Sequence, residues 1–593
     1  MTYRSGDVSS MPTAMRRAAH LPLQMVVLGV LIAAPRTLAG PFGVRMTLHA
    51  NPQSAMGISW NTDDPSDTTV FFGRAADTLT ERFTVGPAAQ HPMPAPLGTA
   101  FSATLDGLTP GTTYYFKVGH EAALYPAGAP YSFTTRSADA CAMLRFVVIG
   151  DNRADYNFGS PGVSLLYAPI MDEILGFGPD MFLNTGDMVK NGDNADEWAN
   201  MIRASEPSWS RIPSILTVGN HDDGDPDGDG SLYNRLFALP QNDATANEDF
   251  YSIDVGLVHF VSLNSQHADT NELKLMADWL DADLAATAQP WKIVFFHKAI
   301  YSRGNHYTGE ENGGALNAAL VPIFDAHEVD LVFNGHSHDY ERFAPSRGVD
   351  AAFGGAGRTL VAGPAAGLSD ELPDGAVGTT YVVTGGGGAS TTDIPGFDNA
   401  TCIDAGCRLC GLLGDLVMRC DEDVYAKDVE ATVMYEGKHN FVMVEVIGDE
   451  LHYSAQATAT GNSGALELDT FHMVKSGLTA CAAGEGEGEG EGEGEGEGDG
   501  EGEGEGDGEG EGDGEGEGDG EGEGEAGGEG EGEGEEPLPN PPQAADGCGC
   551  AGSPQDALWV AALAALAWRR RPGRGPTASG GAEKHVAGAG MRF

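Results

Sequence analysis

Five short apolar runs each end on a side chain that binds metal ions or moves protons, and this pattern constrains the 593-residue chain most. Phe146-Val147-Val148-Ile149-Gly150 leads to Asp151, and Met181-Phe182-Leu183-Asn184-Thr185-Gly186 leads to Asp187. Ile215-Leu216-Thr217-Val218-Gly219 leads to Asn220-His221-Asp222, and Ile293-Val294-Phe295-Phe296 to His297. Leu331-Val332-Phe333-Asn334-Gly335 leads to His336-Ser337-His338. Runs of this length read as strands, while residues 163–175 and 273–284 place apolar side chains at helical spacing. Strands alternating with helices predict a layered α/β domain over residues 143–476. Polar groups in such sheets gather in the crevice beyond the strand ends.

A single histidine after a strand is usually structural. Asp, Asp, Asn, His and His-x-His in succession predict one shared centre instead. Carboxylate, amide oxygen and imidazole without thiolate suit borderline divalent and trivalent metals. Two ions ~3.5–4 Å apart with a bridging carboxylate are what such a set can build. The glycines before Asp151, Asp187, Asn220 and His336 permit turns tight enough to gather the donors.

Upstream, residues 41–136 carry short alternating runs such as Val44-Arg45-Met46 and Thr69-Val70-Phe71-Phe72, broken by Pro, Asp, Ser and Gly. That rhythm predicts a small β-sandwich with Trp60 in its core. The segment Leu105-Asp106-Gly107-Leu108-Thr109-Pro110-Gly111-Thr112-Thr113-Tyr114-Tyr115-Phe116 resembles the end-strand signature of fibronectin type III domains.

The ends of the chain speak of export. Arg16 and Arg17 precede an apolar run over 21–34, and Thr37-Leu38-Ala39 offers a cleavage point, so residues 1–39 read as a signal peptide. Of the net charge of −55, 26 negative charges lie in residues 484–536, a Glu/Gly and Asp/Gly repeat with no base. The remainder carries −29, which excludes a basic nucleic-acid groove. The repeat itself buries nothing and reads as a disordered spacer. Beyond it, over 546–575, come Cys548-Gly549-Cys550, an apolar run over 557–568 and Arg569-Arg570-Arg571. This order resembles a myxobacterial-type C-terminal sorting tag, implying processing machinery, a membrane segment and display at the cell surface. The other six cysteines, Cys141, Cys402, Cys407, Cys410, Cys420 and Cys481, predict three disulfides whose pairing the sequence leaves open. A zinc site within 402–420 is the alternative for part of that set.

The motifs Gly150-Asp151, Gly186-Asp187, Gly219-Asn220-His221-Asp222, His297 and Gly335-His336-Ser337-His338-Asp339-Tyr340-Glu341-Arg342 resemble the calcineurin-like metallophosphoesterases. Asn305-His306-Tyr307, the Tyr340-Glu341-Arg342 ending and Tyr381-Val382-Val383-Thr384-Gly385-Gly386 narrow the resemblance to purple acid phosphatases, over residues 41–475. It implies a four-layer α/β/β/α domain that hydrolyses phosphate esters, small-molecule or polymeric, by attack of a metal-bound hydroxide. It implies that Asp187 bridges the two metals, that Asp151 and His338 hold one, and that Asn220, His297 and His336 hold the other. His221 and His306 correspond to histidines that contact phosphate and protonate the leaving alcohol.

One departure stands out. Lys190 occupies the place of the tyrosine in the family's GDxxY motif, and Asp151-Asn152-Arg153 lacks the histidine of the wider DxH pattern. The first ion is therefore short of a donor, for which Tyr156 and Tyr167 are the candidates, and iron, zinc and manganese all remain open. Arg153 is a candidate contact for metal or substrate phosphate, with an ion pair as the alternative. The acidic loop 225–230 has calcium-loop spacing but meets Leu236 where such a loop supplies glutamate, so it reads as a polar loop. A catalytically weak surface-displayed ligand-binding module on the same fold is the second functional expectation.

Overall fold

The computed structural model describes residues 40–481 apart from 155–161, 225–231, 243, 246–247, 267–269, 305, 307–312, 362–369, 372–377, 392–406, 413–414, 421–431, 460–465, 476–477 and 479–480. The signal peptide, the spacer, the sorting tag and loop 225–230 thus lie outside the described residues. No helix among the described residues is long and apolar enough to cross a membrane.

Two β-sheets stack face to face, and a helix pair covers each outer side. The first sheet includes the parallel strands Leu144–Ile149, Met181–Asn184 and Ser214–Leu216, flanked by the antiparallel strands Asn440–Ile447, Glu450–Ala457 and Leu466–Val474. The second contains Val258–Ser262, Trp291–Phe295, Leu331–Asn334 and Thr380–Thr384 in parallel. Strand periodicity sorts the side chains between layers. Ile293, Phe295, Leu331 and Phe333 face the first sheet, whereas Val294, Phe296 and Val332 join the cluster under helices Thr270–Ala286 and Gly313–His327. Helices Tyr167–Gly176 and Ala195–Trp209 pack their apolar stripes on the other side. This is the α/β/β/α order that the resemblance implied.

The N-terminal residues form the expected strands, and Trp60 is fully buried, stacked on Phe101 at 5.4 Å with its indole N–H donating to the Asp67 carbonyl. They do not form a separate body, however. Strand Phe42–Thr47 pairs in parallel with Ser214–Leu216 through Thr47 and Ser214, so one 11-stranded sheet runs through both domains. Glu206 secures this junction, accepting from the Gly43 N–H at 2.7 Å, the Tyr125 hydroxyl at 2.7 Å and the Tyr131 hydroxyl at 2.5 Å. Arg45, wholly buried, donates to the Leu236 carbonyl and to Asn61.

Cys141 and Cys481 form a disulfide. The strands Cys407–Leu412 and Asp415–Cys420 pair antiparallel with Cys407 opposite Cys420 in register.

A buried histidine between two carboxylates ties the second sheet to its helix. His259 lies 2.7 Å from Asp254 and 2.8 Å from Asp283 of helix Thr270–Ala286, with its side chain 6% exposed. Burial works against its charge, but the two carboxylates outweigh burial and raise it from 6.5 to about 9. A histidine raised in the folded state stabilises fully below its unfolded value and loses that contribution as pH rises through the folded one. The contribution is on the order of 3 kcal/mol. Urea unfolding of the wild type should therefore show a stability loss between pH 6.5 and 9 that His259→Gln largely lacks. Equal pH slopes in the two proteins would refute this assignment.

Candidate metal centre

The turns after the strands are what aim the donors. Asp151, Asp187 and His336 all adopt left-handed backbone, with φ of 55°, 57° and 73°. Non-glycine residues seldom accept that conformation, and where they do it commonly marks a functional site. Close approach supplies a second reason for the neighbouring glycines. A Cβ on Gly219 would lie 2.2 Å from the Asp187 carboxylate, and one on Gly335 would lie 2.3 Å from that of Asp151.

Four donor atoms converge on one point. His297 Nε2 lies 2.9 Å from Asn220 Oδ1, 3.1 Å from His336 Nδ1 and 3.3 Å from Asp187 Oδ1. His297 Nδ1 is 2.9 Å from the Thr185 carbonyl, so the ring proton sits there and Nε2 presents its lone pair inward. Burial pushes His297 down to about 4 and holds His336 well below its usual value, leaving both imidazoles neutral. The His297 Nε2 lone pair thus faces the oxygens of Asn220 and Asp187, with no proton on that nitrogen to share. A cation with bonds of ~2.0–2.2 Å places its ligand atoms at about these separations, so the residues fit a metal ion.

The adjoining face is built differently. Asp151 Oδ1 and His338 Nε2 are 3.6 Å apart, and His338 Nδ1 is fixed 3.1 Å from the Ser390 carbonyl. Arg153, 8% exposed, stands beside this pair, its Nε donating to Asp187 Oδ2 at 3.0 Å and its Nη2 lying 3.3 Å from His338 Nε2. Asp151 and Asp187 are both buried, and with His297 they form a group whose donor atoms lie within 4.8 Å of one another. Burial, then the Asp187 charge, raises the Asp151 carboxyl well above the usual range. Burial also works to raise Asp187, but His297, His221 and Arg153 outweigh it and hold that carboxyl low. A second cation here would allow both carboxylates to ionise.

The two outer histidines sit at the rim. His221 Nδ1 is 2.7 Å from the Lys190 carbonyl and its Nε2 is 4.0 Å from Asp187 Oδ2, with the side chain 31% exposed. The backbone of Lys190, the residue in the expected tyrosine's place, thereby orients a histidine. His306 stacks on His336 with ring centroids 3.7 Å apart.

Tyr167 requires a correction. It opens helix Tyr167–Gly176, and the helical direction turns its ring into the core, where its hydroxyl faces Ser205 and Trp209 at zero exposure. A phenol held there is not a donor to the first ion. Tyr156 lies outside the described residues.

Two supporting carboxylates escaped the sequence reading as functional residues. Asp222 accepts from the backbone N–H groups of Met188, Val189 and Gly219, fixing both loops that carry Asp187 and Asn220. Glu341 accepts from Ser302 Oγ and from the backbone of Arg303 and Gly304, bracing the segment that leads to His306. The only sequence signal for them was their place inside motifs whose other members are candidate metal donors.

Comparison with known proteins agrees with this geometry. Residues 41–135 match the family described as purple acid phosphatase, N-terminal domain. "Purple acid phosphatase 21" of Arabidopsis thaliana is 30% identical over 252 residues, 40% of this chain and 52% of that protein. An uncharacterized protein of Mycobacterium tuberculosis is 29% identical over 323 residues, 49% of this chain and 58% of its own. The chain thus spans about half the length of the curated relatives it matches. Among solved structures, the purple acid phosphatase PPD1 of yellow lupin shares the fold with a TM-score of 0.54 at 19% identity, over 74% of each chain. Behind that N-terminal match, residues 144–340 match the family described as calcineurin-like phosphoesterase.

Proposed function

We propose that this protein is an exported, metal-dependent phosphoesterase that hydrolyses phosphate esters of small molecules or polymers. The observation that carries this reading is the convergence of Asp187, Asn220, His297 and His336 on one point at separations that fit a shared cation. In this reading Asn220, His297 and His336 hold one ion, Asp151 and His338 the other, and Asp187 lies between them. Two ions of iron, zinc or manganese, when bound, supply Lewis acidity toward the phosphoryl oxygens and an activated water.

The chain's own groups do the rest. Arg153 adds fixed positive charge beside Asp187, on the face where the family's tyrosine is missing. His221 keeps one proton on Nδ1 through the Lys190 carbonyl, so Nε2, when it too carries a proton, can donate to phosphate or give that proton to the leaving oxygen. His306, stacked on His336, stands on the same rim for the same work. Residues 41–136 and 143–476 act as one unit, with 1–39 as export signal, 484–536 as spacer and 546–575 as surface anchor. The Cys141–Cys481 disulfide supports export, since such bonds persist in oxidising compartments.

A catalytically weak binding module is the second reading, and the guanidinium of Arg153 on the first ion's face favours it. Metal content by mass spectrometry, paired with hydrolysis of p-nitrophenyl phosphate and bis-p-nitrophenyl phosphate, separates the two. Two ions per chain with turnover supports the enzyme. Protein that stays metal-free and inert with every supplied divalent ion would leave only the binding module.

A further inference from the structure

A second group of metal donors lies on the solvent side of the first sheet, apart from the strand-end crevice. Strands Glu450–Ala457 and Leu466–Val474 pair antiparallel with His452 directly opposite His472. Leu451 and Tyr453 point into the core, so by strand alternation Glu450 and His452 share the outer face. The two imidazoles stack with centroids 4.5 Å apart and planes 14° from parallel. Glu450 Oε2 lies 3.0 Å from His452 Nε2 and 3.6 Å from His472 Nε2. All three donor atoms fall within 4.8 Å of one another.

We propose that Glu450, His452 and His472 form an additional binding site for a borderline divalent cation of the zinc class. A surface ion pair explains this arrangement poorly. One carboxylate oxygen serves two ring nitrogens, and stacked imidazoliums would repel each other. His472 Nε2 is shielded from solvent and makes no hydrogen bond among the described residues. With bonds of ~2.0–2.2 Å, tetrahedral ligand atoms sit about 3.4 Å apart, a value the two observed separations straddle. Imidazole and carboxylate are also the donors that this class of ion selects. Two paired strands already hold the ligands, so binding orders little new backbone. The side chains of Glu450 and His452 remain 48% and 45% exposed, which leaves the fourth position open to water. Bound metal would cross-link the last two strands just before Cys481.

The test is zinc titration of the full-length protein against a chromophoric chelator, using an affinity tag without histidine, for wild type, His472→Gln and Glu450→Gln. The acidic spacer is common to all three and cancels. Wild type should hold one more zinc equivalent per chain than either variant, and added zinc should raise its melting temperature more than theirs. p-Nitrophenyl phosphate hydrolysis, if present, should be unchanged by both substitutions. Equal zinc equivalents in the three proteins would overturn the site. Glu450→Gln alters an exposed side chain, so the comparison stands even where His472→Gln disturbs folding. This site does not depend on the phosphoesterase reading, because Asp187→Asn should leave its zinc equivalent in place.

Discussion

Asparagine at position 187 is expected to empty the main centre and to lower phosphate-ester hydrolysis by at least about a thousandfold. Asp187 touches both halves, with Oδ1 at His297 and the His221 backbone, and Oδ2 at Arg153. The amide keeps an oxygen for the His221 N–H but loses the charge. Two consequences follow from that loss. The inward lone pairs of Asn220, His297 and His336 no longer have an anion to help hold a cation among them. The Arg153 guanidinium is left buried without its carboxylate partner. Metal analysis and steady-state kinetics on the same preparation check the outcome. Retained metal with turnover within tenfold of wild type would show that Asp187 is not the bridge.

Removal of the Asp469 carboxylate should cost about 3–5 kcal/mol of stability, a large part of what holds an average domain folded. Asp469 is completely buried on strand Leu466–Val474. It accepts from Arg342 Nε at 2.5 Å, Arg342 Nη2 at 2.9 Å and the Tyr340 hydroxyl at 2.7 Å. Asp469→Ala removes the carboxylate that pairs a guanidinium only 1% exposed. The effect should also reach the centre, because Tyr340 and Arg342 flank Glu341, whose oxygens brace the segment before His306. Urea midpoints measure the loss, and Asp469→Asn, which keeps an acceptor, should be milder. A midpoint shift worth under about 1 kcal/mol would show the cluster to be replaceable.

The Tyr340-Glu341-Arg342 ending therefore marks architecture as much as chemistry. Its partner Asp469 lies 127 residues from Arg342, and nothing local links the two. The donors themselves were legible because each terminates an apolar run, and strand ends of one sheet meet in space. The helix pairs were legible from their spacing for the same reason. Fusion of the two domains into one sheet was not, since Thr47 meets Ser214 through a pairing with no neighbouring signal. Tyr167 misled because nearness in sequence says nothing of direction. One residue into a helix, its ring follows the apolar stripe and packs with the core. Of the three expected disulfides, Cys141–Cys481 is described, and most of the remaining cysteines' loop lies outside the described residues.

The Cys141–Cys481 bridge has a consequence for proteolysis. It joins residues 340 positions apart and encloses the whole of residues 143–476 in one covalent ring. A protease that nicks any loop inside the ring opens it without releasing a fragment, and both pieces stay joined and in register. Damage that would disperse a linear chain leaves this one a single molecule.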